Sequence, residues 1–111
     1  MNNWISRAIE SKKRYKEYKR QKQDLPMVYR EGLDALEKYM WNFAGGDNFM
    51  LVLENILELF QDGARNKSSV TEIIGEDPAQ FADNIMAEYP EELWFENARK
   101  KLNEKIEKIE E

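Results

Sequence analysis

Cysteine and histidine are both absent from the 111 residues. Without cysteine there is no disulfide, no thiolate nucleophile and no thiolate metal site. Without histidine the commonest general base and the commonest transition-metal ligand are missing as well. These absences exclude most familiar active sites and metal centres. We therefore expect no cofactor, no metal and no enzymatic activity.

Long apolar runs are missing too. No run approaches the 18 residues of a membrane-spanning helix, and the segment Met1-Asn2-Asn3-Trp4 has no basic region leading into an apolar core, as a signal peptide would. We expect a cytoplasmic protein that makes no use of a membrane. The chain does contain three Trp, five Tyr and five Phe, and 41% of its residues are hydrophobic. This content predicts one folded domain that spans residues 1–111.

The net charge of −5 conceals an uneven distribution. Residues 1–22 carry eight basic and two acidic side chains, whereas the other 89 residues carry nine basic and twenty acidic ones. The amino-terminal segment therefore has a charge of +6 and the remainder a charge of −11. The two parts attract each other.

Helical periodicity covers the first half of the chain. Apolar residues recur every three or four positions in residues 3–22, opposite a basic face, which predicts an amphipathic helix. Pro26 breaks the pattern and is suited to the first turn of a second helix. The apolar face of this second helix comprises Tyr29, Leu33, Leu36, Met40 and Phe43. We expect Gly45-Gly46 to end it.

The third helix should be the central one. Asp47 is placed to cap it, and the run from Phe49 to Phe60 is the most apolar of the chain, so nearly all of its circumference can be buried. Gly63 can adopt the left-handed conformation that closes a last helical turn. We therefore predict that the helix stops at Gly63.

The sequence predicts two further helix starts after Gly63. Ser69 and Glu72 have the spacing of a capping box, which predicts a short helix that Gly75 interrupts. Asp77 and Pro78 supply the cap and the first residue of another helix.

A last helix is predicted to start near Glu91. Its apolar stripe comprises Trp94, Ala98, Leu102, Ile106 and Ile109. The class is all-α: a compact helical bundle or short superhelix of five to six helices, with a basic helix at residues 3–22 and a helical body at residues 25–110.

The basic helix is the one segment that indicates a class of ligand. Its lysines and arginines, interleaved with Tyr15 and Tyr18, can contact phosphates while the tyrosines pack or stack. The alternative is that the tyrosines face the core and the basic side chains only solvate the outer face. The predicted anion contacts are Lys12, Lys13, Arg14, Lys16, Lys19 and Arg20.

Apolar side chains suggest a protein interface. Trp41 lies beside the main stripe of the second helix, and the stripe of the last helix continues through Leu102 and Ile106 to Ile109, almost at its end. These four residues are our predicted interface, as a homodimer seam or a docking site, because exposed apolar patches tend to mark interfaces. The alternative is that they are covered within the monomer.

The order of these signals resembles a known family. The elements are Tyr39-Met40-Trp41, then Phe60 through Asp62-Gly63-Ala64, Lys67, Val70 and Gly75-Glu76-Asp77 to Phe81. They are similar to those of small all-helical bacterial proteins of unknown function that are often encoded beside PadR-like transcriptional repressors. The resemblance covers residues 25–108 and is most specific from Val70 to Phe81.

The chain departs from the family pattern at two turn positions, with Pro78 in place of Val and Asn66 in place of Gly. The resemblance implies a compact helical fold, a cytoplasmic location and a regulatory setting. It brings no catalytic residues.

Our leading hypothesis is a cytoplasmic, non-enzymatic protein-interaction or regulatory accessory protein that binds another protein, or itself, through apolar helix faces. The alternative is an accessory nucleic-acid-binding protein that uses the basic amino-terminal helix. An enzyme is third, because carboxylates are plentiful but nothing in the sequence selects a pair of them.

Overall fold

The computed structural model describes residues 3–44, 49–89 and 93–110. Within these ranges the chain forms six helices and no strand beyond an isolated antiparallel bridge between Ala44 and Leu93. The expected all-α bundle of five to six helices is confirmed. The helices are α1 (Asn3–Gln23), α2 (Met27–Met40), α3 (Phe49–Arg65), α4 (Val70–Ile74), α5 (Pro78–Ala87) and α6 (Trp94–Glu110).

Helix α3 is the centre of the bundle, as its apolar sequence predicts. It packs against α1, α2 and α4, while α2 also packs against α1, α4 and α5. Its inward side chains are almost inaccessible to solvent, and together with Leu33 and Met40 of α2 they form the middle of the core. The buried residues of α3 are Phe49, Met50, Val52, Leu53, Ile56, Leu57, Phe60 and Gly63.

The predicted stop at Gly63 is wrong, because α3 continues through Gly63 to Arg65. The left-handed residue is Lys67, with φ of 58°, and the turn is closed by the Ser68 amide donating to the Gly63 carbonyl at 2.8 Å. Gly63 serves a packing role instead. A Cβ placed there would lie 2.3 Å from Ile73 Cδ1, so the absence of a side chain allows α4 to approach α3.

The starts of α4 and α5 are confirmed. The Glu72 amide donates to Ser69 Oγ at 3.1 Å, and the Ser69 amide donates to Glu72 Oε1 at 3.0 Å, which forms the predicted capping box. Gly75, with φ of 87°, ends α4. Asp77 accepts the Gln80 amide at 3.0 Å, and Pro78 follows as the first residue of α5.

Three predicted boundary signals lie outside the described residues. They are Gly45-Gly46 as the end of α2, Asp47 as the cap of α3, and Glu91 as the start of α6. In the described part α2 ends at Met40, and Phe43, expected on its apolar face, lies beyond the helix and is 45% exposed. The side chain of Trp94, which we assigned to the apolar stripe of the last helix, also lies outside the description.

Helix α6 is unlike the other helices because every side chain from Asn97 to Glu110 is exposed. The Cα radius of gyration is 17.0 Å, with principal extents of 59 × 39 × 16 Å, whereas a compact domain of this length has a radius of gyration of about 13 Å. The difference agrees with the exposure of α6 and of residues 5–10 of α1. Both segments present exposed side chains to solvent.

Candidate functional site

A buried ionic cluster joins α1 to α2. Lys22, in the last turn of α1, places its Nζ 2.6 Å from Asp34 Oδ1 and 2.6 Å from Glu37 Oε2. Lys22 and Glu37 are only 8% and 5% exposed, whereas Asp34 lies at the more open edge. Asp34 and Glu37 are three residues apart on α2 and therefore lie on the same face. Sequence analysis missed this cluster because it counted Lys22 only as part of the basic segment.

Aromatic side chains enclose the cluster. Lys22 Nζ lies 5.4 Å from the centre of the Tyr18 ring, and Trp41 Nε1 donates to Glu37 Oε1 at 3.3 Å. Burial and the negative charge of Glu37 raise the pKa of Tyr18 well above its ordinary value. Burial alone would lower the pKa of Lys22, but its hydrogen bonds to Asp34 and Glu37 outweigh this effect and raise it. Lys22 compensates the buried charge of Glu37, Asp34 remains open to solvent, and these contacts hold α1 against α2.

The predicted anion contacts on α1 divide into two groups. Arg14 Nε donates to Glu54 Oε2 of α3 at 2.9 Å, and Arg14 Nη2 donates to the other oxygen of the same carboxylate. Arg20 donates from Nε to Glu17 at 3.0 Å and from Nη1 to Asp24 at 3.3 Å. Both arginines are therefore paired with carboxylates of the same chain.

The pairing of Arg20 with Glu17 affects the titration of the acid. Hydrogen bonds from Arg20 and Gln21 lower the pKa of Glu17 to about 2. The carboxylate is therefore ionised at any physiological pH.

The four predicted lysine contacts are all exposed. Lys12, Lys16 and Lys19 follow one another at spacings of four and three residues, so they form a row along α1, with Lys13 beside it. Lys19 Nζ also lies 5.6 Å from the centre of the Tyr15 ring. Tyr18 is buried while Tyr15 remains 38% exposed, so only one of the two tyrosines is a core residue.

The four predicted interface residues occupy two different environments. Trp41 is partly buried and packs its ring on Phe49, with centroids 5.1 Å apart. Leu102, Ile106 and Ile109 are 62%, 47% and 68% exposed, respectively. Their spacings of four and three residues place them on a single face of α6. We call these three residues the α6 stripe.

An apolar groove runs between α2 and α5, and sequence analysis did not predict it. Two adjoining depressions share Tyr39, one reaching from Gly32 to Ala79 and the other ending at Leu93, just before α6 begins. Small residues make the groove accessible, since Gly32, Ala35 and Ala79 line one of the depressions. We call this feature the α2/α5 groove. Its other lining residues are Leu36, Phe43, Val70, Ile74, Pro78, Asp83, Met86 and Ala87.

Polar groups are scarce in the α2/α5 groove. Among the described residues that line it, Asp83 is the one carboxylic acid, and it accepts a hydrogen bond from Tyr39 Oη at 2.8 Å. This bond raises the pKa of Tyr39, so the phenol stays protonated. Because the lining is otherwise apolar, the groove suits hydrophobic side chains better than a charged ligand.

Neither a metal site nor a membrane span is evident in the described ranges. Among residues 3–44, 49–89 and 93–110 no three acidic side chains are arranged to hold a metal ion. The helices of these ranges are also too polar or too short to cross a bilayer.

Comparison with known proteins identifies one family. The sequence model of the family described as "Protein of unknown function (DUF1048)" matches residues 6–107. The match covers most of the chain and extends into α6 as far as Glu107. No curated protein matches the sequence.

Proposed function

This chain belongs to the DUF1048 family of proteins of unknown function, and we propose that it is a non-enzymatic protein that binds another protein through the α6 stripe. One observation carries the proposal: Leu102, Ile106 and Ile109 lie on a single helix face and are exposed over roughly half or more of their surface. Water contact with such a continuous apolar face is unfavourable, and covering it stabilises a complex.

The surroundings of the stripe support a recognition role. The flanks of the α6 stripe carry charged residues, among them Arg99, Lys101, Lys105 and Glu110, which form the kind of polar rim that surrounds the apolar centre of an interface. Amphipathic helices commonly bind apolar grooves through anchors at this spacing. We extend the proposal to a regulatory accessory role, which is the setting implied by the resemblance to proteins encoded beside PadR-like repressors.

Site-specific photocrosslinking in cells that naturally express the chain tests this function. A benzophenone amino acid replaces Leu102, Ile106 or Ile109 in three separate variants. We expect each to form a defined covalent adduct with a protein, because these side chains would be buried in the complex. Lys100, Glu104 and Glu107 project from the opposite part of the same helix and provide matched control positions.

The control positions should form little or no adduct. Equal labelling from both faces, or the absence of adducts from all three stripe positions, would contradict the proposed function. The mass of each adduct identifies the partner and shows whether it is a second copy of this chain.

The row of exposed lysines on α1 favours a second candidate, binding to a nucleic acid. Lys12, Lys13, Lys16 and Lys19 are within reach of a phosphate backbone, whereas Arg14 and Arg20 are held by carboxylates. Two of the six predicted cations are therefore already compensated by carboxylates, and the remainder of the chain is strongly acidic. Both facts make this candidate the weaker one.

Fluorescence anisotropy with labelled duplex DNA tests the second candidate. If the four lysines each neutralise one phosphate, the logarithm of the binding constant should fall with the logarithm of salt concentration with a slope of about −3.6. Changing all four lysines to glutamate should abolish binding. The same fourfold change at Lys100, Lys101, Lys105 and Lys108 of α6 alters the charge equally and is the control. Binding that survives the change on α1 would eliminate this candidate.

A further inference from the structure

We propose that the partner of the α6 stripe is the α2/α5 groove of a second copy of this chain, so that two copies exchange their α6 helices reciprocally. This inference rests on the proposed function and names its partner. It brings together two unpartnered apolar features of the same molecule, the exposed helix face and the groove.

The lengths of the two features agree. Leu102 and Ile109 are seven residues apart, which corresponds to about 10 Å along a helix. The part of the groove lined by α5 extends from Pro78 to Ala87, about 14 Å by the same rise. Three anchors at spacings of four and three residues can therefore lie within the groove, with Gly32, Ala35 and Ala79 leaving space for them.

The charges agree as well. Residues 76–88 carry four acidic side chains, Glu76, Asp77, Asp83 and Glu88, and no basic one. Residues 98–109 carry five basic side chains and two acidic ones. Asp83 lines the groove, and the other three acids belong to the same segment, whose helix α5 forms one wall of the groove. We call this segment the acidic border, and it attracts the basic helix that the apolar lining accommodates. The basic residues of this helical segment are Arg99, Lys100, Lys101, Lys105 and Lys108.

The direction of α6 points to a second copy. Leu93 lines the end of the groove, and α6 begins at the next residue, yet every side chain from Asn97 onward is exposed. The helix therefore starts at its own groove and leaves it. Reciprocal docking gives a symmetric dimer with two identical contacts, which doubles the apolar surface that association covers.

The pairing of two α6 stripes with each other is less favourable. Lys101, Lys105 and Lys108 lie along the same flank of the stripe. An antiparallel pair of α6 helices would place these lysine flanks against each other. The acidic border of the α2/α5 groove removes this repulsion.

Light scattering coupled to size-exclusion chromatography of the purified full chain tests the inference. The expected result is a dimer that dissociates on dilution. Ile106→Glu disrupts the stripe, and Ala35→Arg obstructs the groove at an exposed helical position that tolerates arginine. Each should weaken dimerisation about 100-fold or more, because each dimer loses two apolar contacts. Circular dichroism verifies that both variants keep their helices.

Mixing the two monomeric variants gives a decisive result. An equimolar mixture of the Ile106→Glu and Ala35→Arg proteins retains one intact stripe and one intact groove. It should form a heterodimer that is weaker than the original dimer but absent from either variant alone. If Ala35→Arg remains a full dimer while Ile106→Glu is monomeric, the stripe pairs elsewhere and the groove assignment is overturned.

Two charge variants test which side of α6 lies next to the acidic border. Lys105→Glu lies beside the α6 stripe and should weaken the dimer several-fold, whereas Lys100→Glu lies on the far side and should not, although the net charge changes equally. Equal effects would overturn the role of the acidic border.

The outcomes separate this inference from the proposed function. A chain that stays monomeric at all concentrations overturns the exchange of α6 helices, and so does a dimer that survives Ile106→Glu. Adducts between the stripe and a different protein in cells would still support the proposed function. The absence of any stripe adduct would remove both.

Discussion

The Lys22→Met variant is expected to lose about 3–5 kcal/mol of unfolding free energy, because it leaves Glu37 buried without its cation. Lys22 Nζ lies 2.6 Å from Glu37, and the carboxylate side chain is only 7% exposed. Asp34, which shares the same lysine, is 55% exposed and can be solvated instead. Urea denaturation followed by circular dichroism measures the loss.

A double variant shows whether the uncompensated charge is the cause. In Lys22→Met/Glu37→Leu both ions are replaced by apolar side chains of similar length, so most of the stability should return. We expect a remaining loss of about 1 kcal/mol, because Trp41 Nε1 then has no acceptor. A double variant as unstable as Lys22→Met would show that the lysine acts through packing, not charge.

The pH dependence of stability provides an independent measure of the same cluster. The folded-state pKa of Lys22 is raised above its ordinary value of 10.5, so the stabilisation is complete below pH 10.5 and declines as the pH rises through the folded pKa. Tyr18, whose pKa is also raised, adds a decline that begins above its ordinary value of 10.0. The original chain should therefore weaken above pH 10, and Lys22→Met should show a smaller alkaline decline.

Phe60→Ala is expected to cost about 3–5 kcal/mol, comparable to the loss of Lys22. Phe60 is completely buried on α3, and its ring faces Gly32 of α2, where an added Cβ would lie 3.3 Å from Phe60 Cε2. Gly32 has no side chain that could move into the vacated space, so a cavity should remain. Since a domain of this size is stable by only about 5–15 kcal/mol, thermal and urea unfolding should both detect the change clearly.

The neighbouring residue provides the control for Phe60. Leu59 is on the same helix but is 46% exposed, so Leu59→Ala should cost less than about 1 kcal/mol. If Phe60→Ala cost no more than about 1 kcal/mol, as expected for Leu59→Ala, the central role of Phe60 in the core would be wrong.

Local signals account for the parts of the fold that the sequence predicted correctly. The capping box at Ser69 and Glu72 and the Asp77-Pro78 start depend on atoms three residues apart, so the sequence contains everything they require. Gly63 is different. A glycine at the end of an apolar run can terminate a helix or admit a neighbouring one, and only the position of Ile73, a tertiary contact, distinguishes the two.

The ionic cluster and the groove were missed for a similar reason. A signal for the cluster was present, since Glu37 follows Leu33 by four residues and precedes Met40 by three at the edge of the apolar face of α2, and Lys22 follows Tyr18 by four residues on α1. An acid within one apolar stripe and a base within another can compensate each other when the stripes meet. The sequence contains no such signal for the α2/α5 groove. Ala35 and Ala79 are common helix residues, and they form a groove only because the fold brings their two helices together.

The four predicted interface residues differ in their exposure to solvent, and the sequence did not predict this difference. Trp41 and Ile109 both looked like apolar residues without a partner, yet Trp41 packs on Phe49 and Ile109 remains exposed. The difference depends on where α6 goes after Leu93. The helical periodicity of α6 defines its stripe but not its direction.

The isolation of α6 means that its binding is linked to its own helix–coil equilibrium. A helix of 17 residues that buries none of its side chains from Asn97 to Glu110 depends on intrinsic propensity and on pairs such as Glu96 with Arg99. Any partner that requires the helical form must therefore supply the ordering free energy of this segment. Affinity could then be adjusted at Asn103, which lies beside the α6 stripe and not within it, simply by substituting a residue that forms helices more readily.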